Sequence, residues 1–257
     1  MDNHRLLTIA KYSVLEAVRD KFLIFILAGV FGFFIISLFI GELTVTEGAA
    51  TQATLLASAL RLYSVFTVSL FVISSMTREF NDKGFELILS HPVPRASYYF
   101  GKFIGFSIVA LIISFFIFVC LSIHVPIISA GYWSFSLFCE LLIIIAMSLL
   151  CLFSFNSITI SFTVVMSFYF LSRSMEIIQL ISNSPILALG SPSHQFISSM
   201  LDYIAYLLPG LYSFTKSEWL IYQANILSEL NLVIGQTFIY ITFISAVALF
   251  DLYRKEL

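Results

Sequence analysis

Charge is what this sequence has least of. Lys and Arg number 13 and Asp and Glu 15 in 257 residues, so 11% are charged, against 60% apolar and 28 Phe. Soluble domains sit near about 45–50% apolar and 25% charged, and a water-soluble enzyme is excluded on that ground. Cysteine is as scarce. Cys120, Cys139 and Cys151 form no C-x-x-C pair and have no histidine at ligand spacing. They read as small apolar packing residues, which argues against a disulfide framework and a metal site. The four histidines, His4, His91, His124 and His194, are scattered, with no H-E-x-x-H, and G-x-S-x-G is missing too. A phosphate-cradling P-loop is also absent: the Gly101-Lys102 pair is followed by Phe103 and has Ala96 where the first glycine belongs. The chain therefore binds no ATP by that route, and a net charge of −2 offers no basic face to nucleic acid.

What the sequence does have is long apolar runs. A hydrocarbon core of ~30 Å takes about 20 residues of helix. Uncharged or nearly uncharged stretches of that kind lie at about 22–41, 55–76, 96–123, 133–155, 158–175 and 232–253. The first is too long for a signal-peptide core and no cleavage site follows it, so it reads as a retained span. Six spans place both termini on one side. Lys and Arg flank spans preferentially in the cytoplasm. Arg5, Lys11, Arg19, Lys21, Arg78, Lys83, Arg95, Lys102, Arg254 and Lys255 then lie inside, leaving Arg61, Arg173 and Lys216 of the 13 outside. The expected architecture is an all-α integral membrane domain over residues 1–257, in a membrane it meets with both termini cytoplasmic.

Three segments outside the spans carry pattern. Residues 4–20 place Leu6, Leu7, Ile9, Ala10, Val14, Ala17 and Val18 against Arg5, Thr8, Lys11, Glu16 and Arg19, an amphipathic helix suited to the interface plane; a plain cytoplasmic extension of the first span is the alternative. Residues 78–95 are the densest charged stretch. Gly84 permits a turn, Phe85 to Ser90 can form a short helix with Phe85, Ile88 and Leu89 on one side, and Pro92 and Pro94 end it. An apolar ridge of this kind held in water should bind something. Residues 173–231 are too polar to span. Breaks at Ser184-Pro185, Gly190-Ser191-Pro192 and Leu208-Pro209-Gly210 divide them, and Gln195 to Leu208 and Ser217 to Leu230 read as amphipathic helices on the outer leaflet, with Tyr203, Tyr206, Tyr212, Trp219 and Tyr222 at headgroup depth; an aromatic belt on a connector and a gate or substrate-facing cap both fit that pattern.

Ionisable residues inside spans are costly and draw functional suspicion. Glu140 lies roughly 10 Å into the fourth span, at 1.5 Å per residue, and Arg61 about as deep in the second. They are candidate polar residues of a translocation path, paired across the bundle; snorkelling or structural pairing is the alternative. Ser154, Asn156, Ser157, Thr159, Ser161 and Thr163 crowd the turn between the fourth and fifth spans and read as helix-packing residues, with a polar conduit lining as the alternative.

The run Arg78-Glu79-Phe80, then Gly84-Phe85-Glu86-Leu87-Ile88-Leu89-Ser90-His91-Pro92-Val93-Pro94-Arg95, then Tyr98-Tyr99-Phe100-Gly101-Lys102-Phe103, resembles the pattern of ABC-2 type permeases. It departs at Phe85, where the family often has Thr, and at Ile88. The likeness extends to the order of spans and to Leu208-Pro209-Gly210 ahead of Trp219-Leu220. Within the superfamily the chain looks most like the permeases associated with multicopper enzyme (nitrous oxide reductase) maturation.

That resemblance implies a type V exporter-like half-transporter of the bacterial inner membrane. It would carry an N-terminal interfacial helix and a cytoplasmic coupling helix, with Arg78, Glu79, Gly84, Phe85, Glu86, Ile88, Leu89, Pro92 and Arg95 as ATPase-coupling residues. Its partners would be a second copy of itself, two copies of a separate ABC ATPase, membrane lipids and a periplasmic accessory protein. No cofactor is expected in this chain, since ATP and Mg belong to the ATPase. The implied function is ATP-driven export of a sulfur species or another component for periplasmic metalloenzyme maturation. A scaffold that anchors an ATPase and recruits an external partner without passing substrate is the rival. A secondary transporter ranks third, because no internal repeat or midplane carboxylate is evident.

Overall fold

The computed structural model describes residues 3–43, 48–82, 94–155, 157–182, 192–221 and 226–254. Among them every regular element is helical: α1 (Asn3–Arg19), α2 (Phe22–Leu43), α3 (Gly48–Asn81), α4 (Arg95–Leu121), α5 (Ile127–Phe155), α6 (Ile158–Ser182), α7 (Pro192–Leu207), a 3-10 turn at Leu211–Ser213, α8 (Glu218–Ile221) and α9 (Ile226–Arg254). Six of them, α2 to α6 and α9, are long and apolar enough to cross a bilayer, so the chain is a multi-pass membrane protein. Six crossings bring the start of α2 and the end of α9 to one side, the terminal face; the opposite side is the distal face.

Local chemistry sets the helix boundaries. Pro94 and Pro126 stand immediately before α4 and α5, where the missing proline N–H costs no helical bond, and their carbonyls accept from Ser97 N at 2.9 Å and Ala130 N at 3.0 Å. Between α1 and α2 the chain turns at Lys21, which takes a left-handed φ of 57°. That conformation costs an L-residue roughly 1–2 kcal/mol; it ends α1 and lets the membrane span start at a new angle.

Helix α5 is the hub, packing against α3, α4, α6, α8 and α9. Its apolar stretch is 72% buried, whereas those of α2, α6 and α9 are 17%, 33% and 28% buried. Those three helices therefore keep most of their apolar surface outward. Phe25, Phe31 and Phe39 on α2 and Phe238, Phe243 and Phe250 on α9 are exposed, as lipid-facing side chains should be where hydrocarbon replaces water.

Helix α1 packs most extensively on α4. The contact is made by small groups: Ala10, Ser13 and Ala17 are buried, while Leu7, Tyr12, Leu15 and Val18 are exposed. On α4, Gly101 and Gly105 face it. A Cβ on Gly101 would lie 2.9 Å from Ile9 Cβ, and one on Gly105 would lie 2.6 Å from Ser13 Cβ and 2.9 Å from the Ala10 carbonyl oxygen. This is the close backbone approach that small residues four apart permit.

Within 173–231, the segment expected to lie outside the bilayer, helix α6 continues to Ser182 and α9 begins at Ile226. Between α7 and α8 the chain runs inward: Leu211, Phe214, Thr215, Trp219 and Leu220 are buried. Trp219 is thus a packing residue, its Nε1 donating to Glu229 at 2.8 Å, rather than a headgroup-belt residue. Apolar residues in a segment cut by Pro and Gly look alike whether they meet lipid or protein, and here the protein wins. Of the small hydroxyls at the turn, Ser161 is buried and donates to the Cys151 carbonyl at 3.2 Å, joining α6 to α5, whereas Thr159 and Thr163 are exposed and Asn156 lies outside the described residues.

Candidate functional site

Two polar clusters interrupt the apolar bundle, one toward each face. At the terminal face the last turn of α3 presents Arg78 and Glu79. Arg78 donates to Glu16 at 2.9 Å and also pairs with Asp20, both at the end of α1. Glu79 pairs with Lys102 Nζ on α4 at 2.5 Å, and the Lys102 side chain is almost fully buried. The Lys102 ammonium also lies 6.0 Å from the centre of the Phe106 ring. About two turns earlier on α4, Arg95 donates to the carbonyls of Leu252 and Tyr253, each at 2.9 Å. These are orphan acceptors at the C-terminus of α9, and a cation there also complements the helix dipole.

Residues 78–82 and 94–95, the two flanks of the charged loop, are therefore tied to three other helices. Of the residues singled out there, Arg78, Glu79 and Arg95 are in place; Gly84, Phe85, Glu86, Ile88, Leu89 and Pro92, with the short helix expected at Phe85 to Ser90, lie outside the described residues. Lys102 is an addition. Its sequence context shows only a lysine near the cytoplasmic end of a span, and burial against Glu79 is a tertiary fact. Lys102→Ala should destabilise the fold by about 2 kcal/mol, below the range for a fully buried pair because Glu79 keeps some water. Thermal unfolding in detergent checks this, with the Glu79→Ala/Lys102→Ala double variant expected to recover part of the loss.

The second cluster lies toward the distal face, where α3, α5 and α6 meet the inward-running turn. Glu140 on α5 is 0% exposed. Its Oε2 accepts from the Thr215 hydroxyl at 3.1 Å. The same hydroxyl oxygen lies 3.4 Å from Arg61 Nη1 and 3.4 Å from Arg173 Nη1, so it accepts from both guanidinium groups while donating to the carboxylate. Arg173 further donates to the carbonyls of Leu211 at 2.6 Å and Phe214 at 2.9 Å, and Arg61 reaches the Thr215 carbonyl at 3.5 Å. The Thr215 amide donates to Ser136 Oγ at 3.1 Å, and the Tyr169 phenol faces the Glu140 carboxylate from α6.

Thr215 has a φ of 48°, a left-handed conformation rare for a β-branched residue. Such strain persists only where neighbours over-determine it. Here its amide, carbonyl and hydroxyl are all engaged, which cinches the turn 208–215 into the bundle. Two guanidinium groups share one carboxylate, so the cluster holds an excess positive charge, and Arg61 Nε is buried with no hydrogen-bond partner among the described residues.

Arg61 and Glu140 are thus brought together, through Thr215 rather than as the simple pair the sequence suggests. Sequence reasoning did not single out Arg173, Tyr169, Ser136 or Thr215. A signal existed for three of them: Ser136 with Glu140, and Tyr169 with Arg173, are each four apart and share one helix face. Thr215 had none. Among the described residues no group of three His, Cys, Asp or Glu is placed to hold a metal ion. Compared with known proteins, the chain matches no family model, and no curated protein matches it significantly.

Proposed function

We propose that this chain is the membrane-spanning permease subunit of an ABC-2 type exporter, a half-transporter that pairs with a second copy and with two copies of a separate ATPase. It sits in the bacterial inner membrane with both termini in the cytoplasm. Beyond the sequence pattern, the observation that carries the reading is mechanical. In the sequence the charged loop follows Arg78 and Glu79 and precedes Arg95, and these residues are joined to α1, α4 and α9. A push on the loop at Phe85 to Ser90 is delivered to three helices at once. The exposed Leu7, Tyr12, Leu15 and Val18 of α1, beside Lys11 and Arg19, suit an interfacial helix at the same face.

In this reading ATP closes the ATPase pair, the coupling helices transmit the closure, and the bias comes from the tighter binding of ATP to the closed state. The cargo is a sulfur species or a similar small component for periplasmic metalloenzyme maturation, released between the two copies. Phe85→Asp and Leu89→Asp should each lower ATPase recovery on affinity purification by about tenfold, the loss typical of a central interface residue. Full recovery of the ATPase together with unchanged cargo-stimulated turnover defeats the reading.

One observation favours the scaffold instead: within a single chain α5 is packed against five other helices, and the Glu140, Arg61 and Arg173 charges engage Thr215 and the turn. Any path must then lie between copies. ATP-dependent cargo uptake into inside-out proteoliposomes holding permease and ATPase separates the two readings, since a scaffold accumulates nothing.

A further inference from the structure

Beyond the Arg61, Glu140 and Arg173 cluster, the end of α6, helix α7, the Leu208 to Gly210 turn and α9 line an open cavity of about 450 Å³. Its chemistry is one-sided. No lysine or arginine is among its lining residues; Asp202 supplies a carboxylate, and Tyr206, Tyr212 and Tyr240 supply aromatic rings. Gln179 Nε2 donates to Asp202 Oδ1 at 3.2 Å and so orients the carboxylate. The Tyr240 hydroxyl donates to the Tyr206 carbonyl at 3.4 Å and ties α9 to the last turn of α7.

The acceptors point to what is missing. Gln236 Oε1 is buried with no hydrogen-bond partner among the described residues, an arrangement that costs free energy unless something donates to it. In front of that amide stands Gly210. A Cβ there would come within 3.5 Å of Gln236 Nε2 and 3.6 Å of Oε1, so the glycine keeps open the space a ligand needs. The volume falls in the range of small-molecule sites, which combine apolar walls with a few placed polar groups.

We propose that this cavity binds a small organic cation bearing N–H donors, a primary amine. The ammonium would pair with Asp202 and donate to Gln236 Oε1, with the tyrosine rings offering their negative faces to the charge. A neutral polyol could meet the acceptors but not use the charge; an anion would be repelled by Asp202; a quaternary ammonium would leave Gln236 unsatisfied. The site stands on the distal face whether or not the chain works as a permease, and the inference does not rest on that reading.

Titration calorimetry on the full chain in nanodiscs tests it, with putrescine as the probe and tetramethylammonium and acetate as comparisons. Saturable putrescine binding is expected, at least about tenfold weaker in Asp202→Asn and in Gln236→Leu, and at least about tenfold weaker for tetramethylammonium. Gly210→Ala, whose φ of −71° any residue accepts, should weaken binding by filling the space before Gln236. Because Asp202 is exposed and its one hydrogen bond among the described residues is to Gln179, Asp202→Asn should leave the thermal midpoint of the ligand-free protein unchanged. No saturable putrescine binding up to about 10 mM, equal affinity in Asp202→Asn, or acetate binding as tightly as putrescine overturns the proposal.

Discussion

Glu140→Ala is expected to cost about 3–5 kcal/mol, the range seen when one member of a buried charged set is removed. The expectation follows from how the carboxylate is used. Glu140 is the anion that the Thr215 hydroxyl bridges to two guanidinium groups, and it is wholly out of solvent. Without it Arg61 and Arg173 face each other's charge, the hydroxyl loses its acceptor, and the left-handed Thr215 is less well held. Unfolding should therefore begin at the turn 208–215. Thermal unfolding in detergent reads the total loss, and amide exchange at Leu211 and Phe214 reads where it starts. Glu140→Gln retains an acceptor for Thr215 but not the charge, so it should fall between. Arg61→Leu combined with Glu140→Ala should be milder than Glu140→Ala alone, because it removes a stranded charge. A Glu140→Ala protein that unfolds at the wild-type temperature, with the turn equally protected, would show that the cluster contributes nothing to the fold.

The same cluster shows what the sequence could and could not reveal. Glu140 and Arg61 stand out because a charge in an apolar run is conspicuous at any resolution of reading. Arg173 does not. It sits where hydropathy falls, and the fall reads as the end of a span, although no Pro or Gly interrupts the helix before Pro185 and α6 continues to Ser182. Hydropathy locates lipid, not helix ends. Thr215 is hidden for another reason: its role depends on chain direction after Pro209 and Gly210, and only the packed structure fixes that. The spans themselves are legible, since length and composition suffice to find them. Which face of each span meets protein is not, most plainly for α2, which is apolar nearly all round and gives periodicity no contrast to work on. The loop pattern from Gly84 to Arg95 is the reverse case, where sequence speaks and the described residues supply only its two anchors.

Gly105→Leu should release α1 from the bundle. Its first atom alone would stand 2.6 Å from Ser13 Cβ and 2.9 Å from the Ala10 carbonyl oxygen, and the second of these is backbone that cannot rotate away. Either α1 moves or α4 bends, and α1 is the lighter element, anchored elsewhere chiefly by the ion pairs of Arg78 with Glu16 and Asp20. Such exposed or half-exposed pairs contribute little, on the order of 0–1 kcal/mol each. Overpacking of this kind costs about 3 kcal/mol at the upper end of its usual range, which corresponds to amide exchange along Leu6 to Val18 on the order of 100-fold faster. The spans should keep their protection, because α1 packs chiefly on α4 and α5 packs chiefly on α3, α4, α6 and α9. Gly235→Leu is the matched comparison: a Cβ there meets nothing within 4 Å, so exchange in α1 should not change. On the permease reading proposed above, if α1 transmits force from the loop, Gly105→Leu should also uncouple ATP turnover from export while leaving recovery of the proposed ATPase partner intact, since the loop itself is untouched. Unchanged exchange across α1 in Gly105→Leu would mean that the glycine contact does not hold the helix, and loss of the ATPase together with α1 would place α1 in the docking surface rather than in the transmission behind it.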